Sequence, residues 1–219
     1  MCTNSIKMSK KNIAIFTILC TIILDQVVKI YIKTNFVLGE EVVVSDWFKI
    51  HFVENNGMAM GFEFGGKAGK LFLTVFRLVA VTAIMYWLIG TIKTKAHNAV
   101  IIAISLIFSG AIGNIIDSVF YGAIFDDSTN KVATLFADEP YGTIFHGKVV
   151  DMFYFPIWTG NLPSWIPFLG GEPYTFFQYI FNPADAYITI GVALLFIFST
   201  QAFPKDENKV KEFSEKNEE

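Results

Sequence analysis

Long apolar runs alternate along this chain with polar, turn-rich stretches. Four runs are long enough to cross a bilayer as helix, which takes about 20 residues; they lie at roughly 12–32, 71–92, 98–120 and 181–203. Between the first two, in roughly 33–70, Glu41-Val42-Val43-Val44 and Trp47 through Val53 are β-prone, the second partly alternating, which predicts short strands. Asn55-Asn56-Gly57 and Gly65-Gly66 mark turns. Between the last two, roughly 121–180 is rich in Gly, Pro and aromatic residues, and Trp158 and Trp165 suit a lipid–water boundary. The tail, 204–219, mixes Lys with Glu and predicts a frayed helix or disorder. The expected fold is an all-α membrane protein, a bundle of four transmembrane helices with small β-structure outside the bilayer. It forms one polytopic domain over residues 1–219.

Composition agrees with this pattern. Of 219 residues, 53% are hydrophobic and 16% aromatic, and the apolar residues sit in runs rather than being spread evenly. The net charge of −3 implies no nucleic-acid partner. The two cysteines, Cys2 and Cys20, do not read as a disulfide framework. Lys7, Lys10 and Lys11 precede the first run as in a signal peptide, but no convincing cleavage site follows, so the run reads as a retained helix. Those lysines, Lys93 and Lys95 in the second-to-third connection, and Lys205, Lys209, Lys211 and Lys216 in the tail place both termini in the cytoplasm by the positive-inside rule. Lys33, Lys49, Lys67 and Lys70 lie on the opposite, outer side.

That topology gathers the acids. Asp25 and Lys29 lie towards the outer end of the first span, spaced to share a helix face and pair. Asn114 and Asp117 are near the outer end of the third. Asp185 lies just inside the fourth, with Asn182 one helical turn before it, and Asp151 is in the loop that precedes it. A carboxylate in a membrane span is costly unless it faces the bundle interior or water. Four at one depth imply a polar site at the outer boundary. Gly110 and Gly113 permit close helix packing. Three scattered histidines, His51, His97 and His146, give no metal-ligand spacing, so neither metal nor cofactor is expected. No Ser-His or Cys-His arrangement is present. What remains is acid–base chemistry between carboxyl groups, in which two neighbours share a proton, one activates water and the other protonates the leaving group. Amide hydrolysis is the natural use. Which two of the four Asp form the pair does not follow from the pattern. A proton-coupled carrier would place its groups near the midplane on broken or repeated helices. A scaffold has no use for such a cluster.

Taken in order, the motifs Asp25 to Lys29, Asn55 to Gly61, Gly113 to Asp117, Val149 to Met152 and Phe181 to Asp185 resemble the bacterial lipoprotein signal peptidases, or signal peptidase II. The form Glu54-Asn55-Asn56-Gly57-Met58-Ala59-Met60-Gly61 looks like the Bacteroidetes branch. The resemblance implies an intramembrane aspartyl endopeptidase of the inner membrane, working at the periplasmic face. Such an enzyme cuts prolipoproteins just before a lipobox cysteine that carries diacylglycerol. It implies Asp151 and Asp185 as the catalytic pair, and Asn55, Gly57, Asn114, Asp117 and Asn182 as substrate-binding or supporting residues. Asp25 and Lys29 would be a structural pair. It also implies a periplasmic β-cradle, contact with membrane lipid, and inhibition by globomycin and myxovirescin. The chain departs from the family in two ways. Ser118 stands where an arginine usually follows the third-span Asp, and there are insertions at roughly 119–145 and 158–178.

Overall fold

The computed structural model describes residues 8–56 and 66–203. Helix α1 spans Lys10–Lys33, capped by Ser9, whose hydroxyl accepts from the Asn12 amide. Strands β1 (Glu41–Ser45) and β2 (Phe48–Asn55) follow, then α2 (Gly66–Lys93) and α3 (Asn98–Ile116). The end of α3 widens into a π turn at Asp117–Tyr121 and runs on into one turn of helix, α4 (Gly122–Ile124). Strands β3 (Val149–Tyr154), β4 (Trp158–Asn161), β5 (Pro173–Phe176) and β6 (Ile180–Phe181) precede α5 (Pro183–Ile197), and a last turn, α6, covers Ser199–Ala202.

Helix α3 packs against α1, α2 and α5. Small residues make that possible: a Cβ on Gly110 would lie 2.3 Å from the Ala184 carbonyl oxygen, and one on Gly113 would lie 2.5 Å from Asp25 Oδ2. Many apolar side chains of the bundle face outward, and polar ones are buried inside it alongside two apolar clusters. Phe16, Leu19, Ile23, Val27, Phe72, Phe76, Val79, Ile190, Phe196 and Ile197 are exposed, whereas Asp25, Lys29, Thr74, Ser105, Ser109, Asp117 and Ser118 are buried. Such an arrangement is stable where the surroundings are hydrocarbon. Three helical stretches, Lys10–Lys33, Leu71–Lys93 and Asn98–Ile124, are long and apolar enough to cross a membrane.

Two expectations change. The fold is not all-α, since the described residues form a four-stranded antiparallel sheet, β1-β2-β3-β6, and a two-stranded sheet, β4-β5. The last apolar run does not begin as helix at 181: Phe181 is strand, paired with Phe153, and α5 starts at Pro183 and is shorter than the other three. Asn182 breaks the helical direction there because its backbone is extended (φ −125°, ψ 174°), the usual conformation of a cap. The predicted strands near 41–44 and 47–53 are β1 and β2. Gly57 and Gly65 lie outside the described residues, and Gly66 opens α2.

The four-stranded sheet rests on a core of Ile32, Phe52, Tyr121, Phe125, Val150 and Met152. The stretch 119–145 folds over this core, and Ser128 and Tyr141 from it close on Lys33 at the end of α1. The stretch 158–178 is the β4–β5 hairpin. Trp165 and Phe168 at its tip are almost fully exposed.

Candidate active site

Five elements deliver side chains to one network. The β2–β3 register sets Asp151 opposite Val53 and Asn55 opposite Val149, so Asn55 Nδ2 reaches Asp151 Oδ2 at 3.3 Å. Helix α5 begins with a capping box: Asn182 Oδ1 accepts from the Asp185 amide at 3.1 Å, and the Asn182 amide donates to Asp185 Oδ2 at 3.3 Å. The same Asn182 donates through Nδ2 to Asp151 Oδ1 at 2.6 Å and to Asn114 Oδ1 at 3.1 Å. Asn114 in turn donates to Asp185 Oδ1 at 2.8 Å. The two carboxyl groups are thus tied to each other through two amides.

Beneath them lies a charged layer. Lys29 bridges Asp25 Oδ2 at 3.1 Å and Asp117 Oδ2 at 2.8 Å, and also donates to Asn114 Oδ1 at 2.9 Å. Asp117 accepts from the Val150 amide at 3.3 Å, which fixes β3 beside the end of α3. Asp25 Oδ1 accepts from the Ala184 amide at 3.0 Å, one of the donors at the start of α5 that have no intrahelical partner. Gln26 donates to both Asp25 Oδ2 and Asp117 Oδ1 at 3.0 Å and accepts from the Tyr121 hydroxyl at 3.1 Å. Asp25, Lys29 and Asp117 are each at most 1% exposed. Charges buried so deeply persist only when paired.

Asp151 is outside the helices and only 3% exposed. Burial, and then the negative charge of Asp185, push its carboxyl up to about 7, against the lowering effect of hydrogen bonds from Asn182 and Asn55. Near neutral pH it therefore holds a proton more readily than a free carboxyl group does. Asp185 is less buried and lies in the first turn of α5, where the helix dipole favours negative charge. Two neighbouring carboxyl groups in such unlike settings are the arrangement general acid–base hydrolysis requires.

Of the residues singled out in the sequence, Asp25, Lys29, Asn55, Asn114, Asp117, Asp151, Asn182 and Asp185 converge here, and Gly57 is outside the described residues. His146 instead contacts Thr143 Oγ1 and the Ile144 carbonyl within its own loop. Among the described residues no group of three His, Cys, Asp or Glu side chains is placed to hold a metal ion. Sequence reasoning missed Gln26, whose place beside Asp25 was the available signal. It also missed a second buried cluster, in which Glu54 takes Lys33 on one oxygen and Lys148 on the other, the latter at 2.9 Å. Lys33 is fully buried among the rings of Phe52, Phe125 and Tyr141. Burial works against the Glu54 charge, but Lys33 and Lys148 together hold its carboxyl below the ordinary range. This cluster anchors β2 one residue before Asn55. Finally, Arg77 on α2 donates to Ser118 Oγ at 3.5 Å.

Comparison with known proteins places this geometry. The profile of the family described as Signal peptidase (SPase) II matches residues 17–201. The lipoprotein signal peptidase of Porphyromonas gingivalis is 50% identical over 182 residues, covering 82% of this chain and 79% of that protein. The one from Amoebophilus asiaticus is 36% identical over 81% of this chain and 73% of its own, and the one from Clostridium tetani is 30% identical over 90% and 97%. A solved structure described as a bacterial membrane enzyme superposes with a TM-score of 0.53 at 26% identity, covering 88% of this chain and 92% of that one.

Proposed function

The chain belongs to the signal peptidase II family, and we propose that it is an aspartic endopeptidase which cuts prolipoproteins immediately before a diacylglyceryl-modified lipobox cysteine. Membership carries the coarser statement, that it is a membrane protease of lipoprotein processing. The observation that supports the finer one is the Asn182 side chain, which joins the Asp151 carboxyl to the start of the helix bearing Asp185.

In this reading Asp185 is the base and Asp151 holds the proton. Water attacks the scissile carbonyl carbon and gives up a proton to Asp185. The carbonyl oxygen takes the proton of Asp151 as it becomes a hydroxyl. When the tetrahedral diol collapses, the C–N bond breaks, the proton on Asp185 goes to the departing cysteine nitrogen, and the hydroxyl proton returns to Asp151. The products are a carboxylic acid on the signal peptide and a free amine on the lipidated cysteine, and both carboxyl groups are restored. Asn55 and Asn182 hold Asp151, and Asn114 holds Asp185. Asp117 supports β3, and Asp25 with Lys29 forms the structural pair beneath. Gly57 belongs to the same peptide-binding stretch.

The proposed setting is the inner membrane, with one polytopic domain, both termini in the cytoplasm and the site at the periplasmic face. Helix α5 with α6 serves as the fourth crossing: residues 183–202 extended as helix span about 30 Å at 1.5 Å per residue. The four-stranded sheet is the β-cradle. Acyl chains of the substrate remain in hydrocarbon, where each buried CH₂ contributes about 0.8 kcal/mol, so lipidation dominates affinity. The β4–β5 hairpin, with Trp165 and Phe168 uncovered, rests in the outer leaflet boundary. Globomycin-type and myxovirescin-type compounds act as inhibitors. The test is cleavage of a synthetic diacylglyceryl prolipopeptide by the purified protein, with product masses read out. A single cut directly before the modified cysteine is expected. A cut elsewhere, or equal rates on the unlipidated peptide, would overturn the reading.

A further inference from the structure

Arg77 is the only arginine among the 219 residues, and it sits inside a helix long and apolar enough to cross a membrane, seven positions into the stretch Leu71–Lys93. A guanidinium at that depth is costly unless something offsets it. Arg77 is half-buried, and the carboxylates in its surroundings are Asp185, Asp151 and Asp117. Its Nη1 donates to Ser118 Oγ at 3.5 Å, and Ser118 in turn donates to the Asn114 carbonyl at 2.9 Å. Arg77 is thereby attached to the wall of the site through the residue next to Asp117.

The surrounding charges explain why a second cation belongs there. Asp25 and Lys29 face the site from α1, Asp117 from the end of α3, Asp151 from β3 and Asp185 from α5. Tyr121 faces the same layer, its hydroxyl donating to Gln26 at 3.1 Å, and Tyr187 follows Asp185 on α5. Four carboxyl groups thus meet one lysine, and that lysine is already shared between Asp25 and Asp117.

We propose that Arg77 is a positioning residue of the hydrolytic site, supplying from α2 the second positive charge that keeps one carboxylate of the Asp151–Asp185 pair ionised. This rests on the hydrolytic reading given above. The base must be ionised to take a proton from water, so kcat/KM rises with pH through the pKa of the base. Removing a nearby cation raises that pKa and moves the acid limb to higher pH.

The experiment is the pH profile of kcat/KM on a diacylglyceryl prolipopeptide for wild type, Arg77→Gln and Arg77→Lys, with Asp151→Asn and Asp185→Asn alongside. Arg77→Gln is expected to move the acid limb up by about 1 pH unit, the low end of the effect of an opposite charge on a carboxyl group. Rates on the limb then fall about tenfold, and rates above it recover towards wild type. Arg77→Lys keeps the charge and is expected to restore the limb. A merely structural role would lower the rate by one factor at every pH. Should Arg77→Gln accumulate poorly, Ser118→Ala gives the same reading: the limb moves the same way by a smaller amount. An unmoved limb in Arg77→Gln, or in Ser118→Ala where that variant is used, with both Asp→Asn variants inactive, overturns the role of Arg77 alone. Turnover by either Asp→Asn variant overturns the hydrolytic reading and this proposal with it.

Discussion

Replacing Asn182 by alanine removes two kinds of support at once, and a second substitution separates them. Asn182 is fully buried. Its Oδ1 caps α5, and its Nδ2 donates to Asp151 at 2.6 Å. Loss of a cap costs about 1 kcal/mol, and loss of a hydrogen bond to a carboxylate costs about 1.5–3 kcal/mol. The two together come to about 3 kcal/mol, or about 6–12 °C in Tm for a chain of this size. Asn182→Ser keeps a capping oxygen and is expected to melt about 2–4 °C above Asn182→Ala. Serine is too short to reach Asp151, so turnover is expected to stay with the alanine variant, on the order of a hundredfold below wild type, as for a catalytic group displaced by about 1 Å. The assays are thermal unfolding in detergent and cleavage of a lipidated prolipopeptide. Near-wild-type turnover by Asn182→Ser, or an unchanged Tm for Asn182→Ala, would refute the reasoning.

Lys29→Met leaves Asp25 and Asp117 buried without their shared cation, and is expected to cost about 3–5 kcal/mol and to show as loss of folded protein on size-exclusion chromatography. Glu54→Ala strands the buried Lys33 in the same way, whereas Glu41→Ala, which breaks an exposed pair with Lys49, is expected to leave Tm near wild type; the two melting curves decide. The raised carboxyl of Asp151 favours the folded protein while it is protonated, so its contribution is complete below about pH 4 and is lost as pH rises through about 7. Wild type is therefore expected to lose more Tm between pH 4 and 7 than Asp151→Asn does, and parallel losses would argue against it. Trp165→Ser with Phe168→Ser is expected to raise KM for a lipidated substrate in bilayers while leaving kcat near wild type, and an unchanged KM would remove the hairpin from the membrane boundary.

Helical spacing made part of this arrangement legible in the sequence. The i, i+4 relation of Asp25 and Lys29 and the i, i+3 relation of Asn114 and Asp117 follow from helix geometry, and the structure joins both pairs through Lys29. Alternation in 47–53 was enough to predict β2. Local pattern failed where contacts cross elements. Asn182 reads as one more polar residue on a helix face, yet it is a cap whose amide turns to β3. The order of β3 and β6 in one sheet has no sequence signature, so Phe181 reads as helix. Lys33, Glu54 and Lys148 are separated by 21 and 94 residues and carry no periodic signal. Arg77 carried one in its uniqueness: a lone arginine inside an apolar span asks for a partner.

The central claim is that two carboxyl groups, Asp151 and Asp185, perform the hydrolysis. The most direct test is single-turnover cleavage of a diacylglyceryl prolipopeptide by wild type, Asp151→Asn and Asp185→Asn, each shown to be folded by its melting curve. Both variants are expected to fall by at least about 10³-fold, within the range for loss of a general acid or base. A folded variant of either kind that cleaves within tenfold of wild type would contradict the claim.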